Sequence, residues 1–447
     1  MTIDLARYTE PMSIWEALMT GHVRLVKMSW LIKHAKAKGI LSRRQGLPEE
    51  AFISVDELKR MYGDGNQDGV LPIIAISFCW ETSSHPDPEG KQLATIAAMM
   101  EQEQQKYAQA SSSFKGFSDM GVFWDWLSIY QKDPKLWTPA CMKADTELTP
   151  SEAEEKKKYE SSRSEEENKG FRYALHETMD LWYAHQGTTV YMLTKLPENS
   201  TRKITYADSG WTTYERCSAE QIKKFWLSEA KWKLVLDLGV SGKDAEKARN
   251  WPIGPNDFDV LIDNKIFTNG SDKQAVKTLF RKMSVNQLGG IKELTLHTMK
   301  PPSIEDARRL GGCLNMCFNL EKLGLASAGI SDEACKEMFS ILSSGAMAQL
   351  QTLRLDYNQI GDAGVTALAN ACAGGAMAQL QTLALGVNKI SDAGVTALAL
   401  ACAGGAMAQL QVSWLPTALV PCLETWHTRS PGLTVLFGVP HLPFAGA

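Results

Sequence analysis

Hydrophobic residues in the C-terminal third of the chain recur with a period of thirty residues. The string GAMAQLQTL begins at Gly345 and again at Gly375, and the shorter GAMAQLQ begins at Gly405. Within each unit, alternating leucines of strand length are followed by an alanine- and leucine-rich stretch with helical spacing. Each unit therefore predicts one strand and one helix, which bury their apolar faces only by stacking on neighbouring units.

An asparagine follows the leucines at the same place in both complete units. The pattern Leu-x-x-Leu-x-Leu-x-x-Asn-x-Ile occupies residues 350–360 and 380–390. An asparagine side chain at a strand end can satisfy backbone groups that have no ladder partner, so Asn358 and Asn388 are predicted to be structural. Partial copies lie near Leu294 and Leu320. The pattern resembles the ribonuclease-inhibitor class of leucine-rich repeats, which implies a short α/β solenoid over 287–410 that binds a protein ligand.

The period is lost after Gln411. Residues 411–447 carry almost no charge and offer no polar cap for the last repeat, which repeat arrays normally need. This segment is predicted to be an irregular tail. It is either a hydrophobic cap or a stretch that was not selected for folding.

Short apolar runs alternate with helical stretches between residues 70 and 240. VLPIIAISFCW, GVFWDWLSI, TTVYMLTKL and WKLVLDLG have strand length, and the stretches between them have helical periodicity. This alternation predicts a parallel sheet with helices on both faces. Ligands bind such sheets beyond the carboxyl ends of the strands. Five residues fall at those ends in this sequence: Trp80, Asp125, Trp126, Thr194 and Lys195.

Three motifs in this segment resemble those of Toll/interleukin-receptor (TIR) domains, which have a flavodoxin-like fold. IIAISFCW is similar to the opening strand of the family, GVFWDW to its second strand, and YADSGWTTYERC to its Ser-x-Trp-x-x-x-Glu helix start. The Arg-Asp-x-x-Pro-Gly loop of the family is absent. The resemblance implies signalling by self-association. For catalytic members it implies NAD hydrolysis, with Glu215 as the catalytic carboxylate and Trp80, Asp125 and Trp211 around the substrate.

The same residues have a second interpretation that involves no ligand. Thr212 and Glu215 have the spacing of a capping box, in which Glu215 would bond back to the helix start. The Trp211 ring would stack on a ligand or pack against the sheet. Trp80 and Asp125 would line a crevice or close the core.

Three further segments complete the predicted organisation. Residues 1–69 have the pattern of a small helical region. The mixed charge run at 149–168 is predicted to be a solvated insertion or a frayed helix within the 70–240 domain. Residues 241–286 are assigned as a connecting segment before the repeats.

Composition and charge narrow the classes of function. A length of 447 residues favours more than one domain. The formal charge of -4 lacks the basic excess of nucleic-acid or anionic-membrane binders. No apolar run reaches the roughly 18 residues of a transmembrane helix, and the nine scattered cysteines never occur in CxxC spacing. We therefore expect reduced thiols, no metal, and a cytoplasmic location.

His85 and Asp87 either form an acid/base pair or mark a turn before a helix.

Together these features predict an intracellular sensor or adaptor. Its leucine-rich repeats would capture a protein ligand, and its TIR-like domain would form homo-oligomers. The alternative is an NAD-hydrolysing enzyme that uses Glu215 and requires no cofactor. A third interpretation, a GTPase-activating scaffold, is based only on the type of repeat.

Overall fold

The computed structural model describes residues 3–63, 69–108, 116–224, 226–227, 232–239, 249–268, 270, 272–296, 299–410, 412–415 and 434–437. The strands in these ranges are β1 (Leu25–Lys27), β2 (Phe52–Ile53), β3 (Ile73–Ser77), β4 (Gly121–Phe123), β5 (Thr189–Met192), β6 (Trp226–Leu227), β7 (Trp232–Lys233), β8 (Val235–Asp237), β9 (Glu293–Thr295), β10 (Lys322–Gly324), β11 (Thr352–Arg354), β12 (Thr382–Ala384), β13 (Val412–Leu415) and β14 (Thr434–Phe437).

The α-helices in the same ranges are α1 (Ala6–Thr9), α2 (Met12–Met19), α3 (Met28–Lys36), α4 (Val55–Gly63), α5 (Lys91–Ala108), α6 (Asp125–Ser128), α7 (Pro150–Glu160), α8 (Glu165–Tyr173), α9 (Met179–Ala184), α10 (Gly210–Glu220), α11 (Pro255–Asp263), α12 (Asp272–Gly290), α13 (Ile304–Leu314), α14 (Asp332–Ser340), α15 (Asp362–Ala373) and α16 (Asp392–Ala403).

The first sheet has the strand order β2-β1-β4-β3-β5-β8. Its last four strands are parallel, as the alternating pattern predicts. Every residue of β3 is buried because helices cover both faces of the sheet. One apolar core contains Leu31 of α3 and Ile96 of α5, and the other contains Trp182 of α9 and Tyr214 of α10.

The first 69 residues differ from the helical region expected for them. They also supply β1, which pairs antiparallel with β4, and β2, which pairs with β1. These two strands hold only three and two residues, too few for a period-2 pattern to be recognised in the sequence. The predicted strand GVFWDWLSI is also shortened, since β4 ends at Phe123 and α6 begins at Asp125.

The charged run at 149–168 forms capped helices rather than frayed structure. Thr149 and Glu152 make a reciprocal capping box at the start of α7, and Ser164 and Glu167 make another at the start of α8. None of the residues of α7 is buried, so the capping bonds and charge pairs take the place of core packing. Between α8 and α9 the helix passes through a π-helical turn, Ala174–Thr178.

The second sheet is parallel throughout and has the order β14-β13-β12-β11-β10-β9. Leu323, Leu353 and Leu383 are aligned across β10, β11 and β12, and all three are completely buried. Helices α13 to α16 lie in sequence behind the strands, and neighbouring helices pack on one another. The thirty-residue period of the sequence is therefore the spacing of one strand and one helix in the structure.

The asparagines join adjacent repeats, which confirms the structural role predicted for them. Asn358 Oδ1 accepts bonds from the N–H groups of Ala328 and Ile330 at 3.1 and 3.0 Å. Its Nδ2 donates to the carbonyls of Leu325 and Leu355, both at 2.9 Å. Asn388 makes the same kind of contacts one repeat later. These bonds satisfy strand-end backbone groups that would otherwise be buried without partners.

The aspartate at the start of α14 and the aspartate at the start of α15 make a second connection between repeats. Asp332 Oδ1 accepts from the N–H groups of Gly361 and Gly364 at 2.9 and 2.6 Å. A Cβ atom on Gly364 would lie only 2.7 Å from that oxygen, so the position requires glycine. Asp362 and Gly394 form the equivalent contact in the next repeat.

The segment after Gln411, expected to be an irregular tail, contributes two strands to the repeat sheet. Residues 412–415 pair in parallel with β12, in the register that the thirty-residue period gives, and residues 434–437 pair with them. Strand pairing uses backbone groups, so it persists where the leucine pattern has ended. The rest of 411–447 lies outside the described residues.

The connecting segment 241–286 includes two helices that pack on the first domain. The rings of Phe258 in α11 and Phe280 in α12 stack with centroids 3.7 Å apart. Phe280 belongs to the core of the first domain, and Leu288, near the C-terminal end of α12, belongs to the core of the repeats. One helix therefore enters both cores.

The buried leucines of the repeats give a direct test of this packing. We expect Leu383→Ala to lower the free energy of unfolding by about 2–5 kcal/mol, because it removes buried methyl groups and leaves a cavity. Chemical denaturation of the full chain measures this change. Leu400→Ala is the matched control, since Leu400 is 54% exposed. Equal effects of the two substitutions would contradict the burial of Leu383.

Candidate functional site

The carboxyl ends of β3 and β5 form the point at which the parallel sheet changes direction. The chain leaves β3 toward β4 on one side and leaves β5 toward β8 on the other. Sheets of this kind bind ligands in the crevice beyond the strand ends at such a point. Ser77, the last residue of β3, lies at this point and is completely buried.

Glu215 of α10 extends to the end of β3. Ser77 Oγ donates to Glu215 Oε2 at 2.6 Å, and the same Oγ lies 2.6 Å from the hydroxyl of Tyr206. The hydroxyl of Tyr183 on α9 donates to the backbone carbonyl of Ile76, the neighbour of Ser77 in β3, at 3.1 Å. Glu215 is only partly exposed, and the hydroxyl of Ser77 holds its carboxyl group at the end of β3.

Asp125, at the start of α6, is the second carboxyl group of the site. Trp80 Nε1 donates to Asp125 Oδ2 at 2.9 Å, and the backbone N–H of Trp126 donates to Oδ1 at 2.7 Å. The rings of Trp80 and Trp126 pack edge to face, with centroids 5.3 Å apart. Like Glu215, both Asp125 and Trp80 are half-buried. The structure thus joins Trp80 to Asp125 by a hydrogen bond, and the charge of Asp125 acts on Glu215.

Burial makes both carboxyl groups harder to ionise. It raises the pKa of Asp125 to about 6, against the opposing effect of the bonds from Trp80 and Trp126. Burial also raises the pKa of Glu215 well above its ordinary value, and the charge of Asp125 adds to this rise. Interacting carboxyl groups with displaced pKa values are typical of sites that move protons or stabilise charge.

The capping interpretation of Glu215 is wrong. Helix α10 begins at Gly210 with Ser209 as its N-cap, three residues before the position that the capping box required. Thr212 Oγ1 donates to the carbonyl of Tyr206 at 2.5 Å instead of accepting from the helix. The chain enters the helix earlier than the sequence pattern indicates, so Glu215 lies in the second turn, where it has no orphan N–H to bind.

Trp211 lies outside the crevice, which corrects its assignment to the substrate. Its indole N–H donates to Asp272 Oδ2 of α12 at 3.0 Å. Its ring packs edge to face against Tyr214, with centroids 6.0 Å apart. Helix α12, which lies outside the three TIR-like motifs of the sequence, supplies the partner for this tryptophan.

The remaining strand-end residues make structural contacts. Asp87 accepts from the N–H groups of Gln92 and Leu93, which confirms the interpretation of SSHPDPEG as a turn that starts a helix. Thr194 Oγ1 donates to Asp237 Oδ1 at 2.5 Å. Lys195 lines a separate open cavity of about 290 Å³. Within the described part of the chain, no group of three or more His, Cys, Asp or Glu side chains is arranged to hold a metal ion.

Ser77, Tyr183 and Tyr206 are the site residues that the sequence interpretation missed. A serine that ends an otherwise apolar strand is a local signal, and it identifies Ser77 as a residue of the strand-end crevice. Tyr183 and Tyr206 carry no such signal. They reach the site only through the packing of α9 and of the loop before α10.

The repeats contain a second candidate surface. Residues 345–374 and 375–404 differ at only six positions: Arg354/Ala384, Asp356/Gly386, Tyr357/Val387, Gln359/Lys389, Gly361/Ser391 and Asn370/Leu400. Five of these pairs fall from the last residue of the strand to the residue before the following helix. The exposed helix positions Ala363/Ala393 are unchanged. Differences between the two copies are therefore concentrated on one edge of the repeat sheet.

Arg354, Asp356 and Tyr357 give that edge its chemistry. Arg354 donates two bonds to the completely buried carboxylate of Asp356, at 3.0 and 2.8 Å. Tyr357 is 47% exposed and has a left-handed backbone, with φ of 57°. The next repeat has Ala384 and Gly386 in place of the ion pair, so the repeat fold does not require it.

Comparisons with known proteins identify the repeats. A leucine-rich repeat family model matches residues 348–369 and 378–399. These repeats generally mediate protein–protein interaction, which agrees with a binding role. A search of curated proteins finds no match to the chain. Among the residues that the structure describes, no helix has the length and apolar character to cross a membrane.

The two carboxyl groups predict a pH dependence of stability. Because folding raises their pKa values above the unfolded value of about 4, the folded state favours their neutral forms. The contribution of these two groups to stability is therefore fully present below pH 4 and is lost as the pH rises through their raised folded-state pKa values. We expect Glu215→Gln, which cannot ionise, to raise the melting temperature relative to wild type more at pH 8 than at pH 5. Thermal denaturation at the two pH values measures this difference. Glu198→Gln, at an exposed site, is the control and should show no such change with pH.

Proposed function

We propose that the protein is an intracellular sensor or adaptor that binds a partner protein through its leucine-rich repeats. The binding surface is the strand edge around Arg354 and Tyr357. Arginine and tyrosine are enriched among residues that dominate binding energy. The observation that carries the proposal is the concentration of differences between two nearly identical repeats on that edge.

We further propose that the first domain is TIR-like and transmits binding by association with like domains. The motifs around Ser77 and Ser209 and the strand order β4-β3-β5-β8 support this assignment. The repeats correspondingly resemble the ribonuclease-inhibitor class. Helix α12 provides a direct connection, since it packs on α9 and α10 and continues into the repeat core.

The binding surface is tested by converting one repeat into the other. The triple change Arg354→Ala, Asp356→Gly and Tyr357→Val copies the edge of residues 384–387, a sequence that the same fold already accommodates. We expect binding to a crosslinked and identified partner to weaken by about 30-fold or more, which corresponds to the roughly 2 kcal/mol of a dominant contact residue. Titration calorimetry with that partner measures the loss.

Changing all three residues together avoids leaving the buried Asp356 without its arginine. The control is Asn370→Leu, which makes the same kind of exchange on the helix face. Equal affinity of the triple variant and wild type would exclude this edge as the binding surface.

A second candidate function is hydrolysis of NAD, with NAD as substrate and no cofactor required. The observation that favours it is the position of Glu215, which is bonded to Ser77 at the end of β3 rather than capping its helix, and on which the charge of Asp125 acts. Cleavage of the nicotinamide–ribose bond builds positive charge on the ribose, and a carboxylate beside the ribose would stabilise that charge.

Glu215→Gln tests the proposed NAD hydrolysis directly, because the substitution keeps the shape of the side chain and removes its negative charge. We expect nicotinamide release from NAD to fall by orders of magnitude while the melting temperature stays at or above that of wild type. The assay is run over a range of protein concentrations, so that self-associated forms are included. Glu198→Gln is the control. If wild-type protein releases no nicotinamide at any concentration, or if the Gln variant releases as much as wild type, NAD hydrolysis by Glu215 is excluded. The adaptor function is then the proposal that stands.

A further inference from the structure

One residue in each of three successive repeats has a left-handed backbone. Ser327, Tyr357 and Val387 have φ values of 53°, 57° and 55°. They occupy equivalent positions, three residues beyond the last residues of β10, β11 and β12. The N–H of Ser327 donates to the carbonyl of Asp356 at 3.1 Å, and the N–H of Tyr357 donates to the carbonyl of Gly386 at 3.0 Å. The three residues therefore lie side by side on adjacent repeats, and we call them the left-handed row.

The turn at the left-handed row requires a backbone conformation and no particular side chain. It is followed by Asn358 in one repeat and by Asn388 in the next, and each asparagine bonds to backbone carbonyls of two repeats. Glycine adopts a positive φ without steric cost, whereas a bulky or β-branched residue is strained there. Tyr357 is bulky and Val387 is β-branched, so two positions of the row hold residues that fit the turn poorly.

The fold gains little from these two side chains in return for the strain. Tyr357 is 47% exposed and Val387 is 52% exposed, and neither belongs to the core of the repeats. Ser327 occupies the same position one repeat earlier, so the turn does not require a large side chain. Strained residues cluster at sites that bind ligands, which indicates that Tyr357 and Val387 act outside the fold.

The charge beside the left-handed row differs between the two nearly identical repeats. In the first, Arg354 and Asp356 form an ion pair. In the second, alanine and glycine replace that pair, and Lys389 replaces Gln359. Lys389 is exposed, and its Nζ donates to the neutral amide oxygen of Gln359 at 3.3 Å. The edge therefore has no net charge in the first repeat and one positive charge, close in sequence to Val387, in the second.

We propose that Tyr357 and Val387 together form the apolar contact of the adaptor, and that its partner is a protein segment with an apolar side chain next to an acidic residue. The apolar side chain packs on the two row residues, and the carboxylate pairs with Lys389, so apolar and charge complementarity act together. The inference deepens the proposed binding function and rests on it. It extends the binding surface into the following repeat and specifies the chemistry of the partner.

Replacement by glycine separates a role in binding from a role in the fold. We expect the melting temperatures of full-length Tyr357→Gly and Val387→Gly to stay at or above that of wild type, because release of the strain offsets the extra freedom of glycine in the unfolded chain. The control is Ala393→Gly at an exposed position of α16, where glycine releases no strain and should lower the melting temperature. A fall in Val387→Gly as large as that in Ala393→Gly would overturn the proposal.

The partner chemistry is tested with a displayed library of random peptides, selected on full-length wild-type protein. We expect the selected peptides to combine apolar with acidic residues and to bind Tyr357→Gly and Val387→Gly about tenfold or more weakly. Lys389→Gln should weaken binding and reduce the loss of affinity with added salt, because it removes the cation. Ser327→Gly is the matched control, since it makes the same exchange one repeat earlier, and it should leave the affinity unchanged. Titration calorimetry measures each affinity.

Other occupants of the left-handed row give different results. Equal binding of the peptides to wild type and both glycine variants would overturn the proposal, as would selected peptides without acidic residues. Sedimentation that shows self-association of wild type and none of Val387→Gly would identify a second copy as the occupant and overturn it too. The role of Arg354 in the proposed function fails separately. A partner that keeps its affinity for the triple variant and loses it for Val387→Gly would contradict that role and support the row, and the reverse result would overturn the row alone.

Discussion

The packing of α12 is the constraint on which both halves of the molecule depend. Its N-terminal part contributes Val276, Phe280 and Met283 to the core behind the first sheet, and its C-terminal end contributes Leu288 to the core of the repeats. Strand β9, which begins the repeat sheet, follows directly. Removing α12 would expose apolar surface on both sides, so the two sheets share one structural unit where the sequence indicated a linker.

The same packing determines what α10 can present to the crevice. Trp211 and Tyr214 of α10 are directed to α12 through Asp272 and Phe280. Residues four apart lie on one side of a helix only approximately, and here Trp211 turns to α12 while Glu215 turns to β3. The crevice therefore receives one acidic side chain from α10 and no aromatic ring. Its tryptophan is Trp80, supplied by the loop after β3.

The parts of the fold that could be predicted are those encoded locally. The repeats were predictable because Leu353, Asn358 and their equivalents recur at fixed spacing and each makes its contact with the next unit. Glu215 and Asp125 were recognised as candidates from motif positions, but their environment was not predictable. The bond from Ser77 to Glu215 joins residues 138 positions apart. Tyr183 and the short strand β1 likewise acquire their partners only through tertiary packing, which no local pattern records.

The repeats and the crevice differ in how their chemistry can change. Arg354 and Asp356 are absent together in the next repeat, as expected because a buried aspartate that loses its arginine would be left as an uncompensated charge. In the repeats, two interacting residues can be replaced together, while the hydrogen bonds of Asn358 and Asn388 still connect adjacent repeats. The crevice has no such freedom, since Glu215 is held by Ser77, a completely buried residue of β3. In the proposed adaptor, binding at the repeats would act on the first domain through the shared helix α12, because this helix contributes residues to both cores.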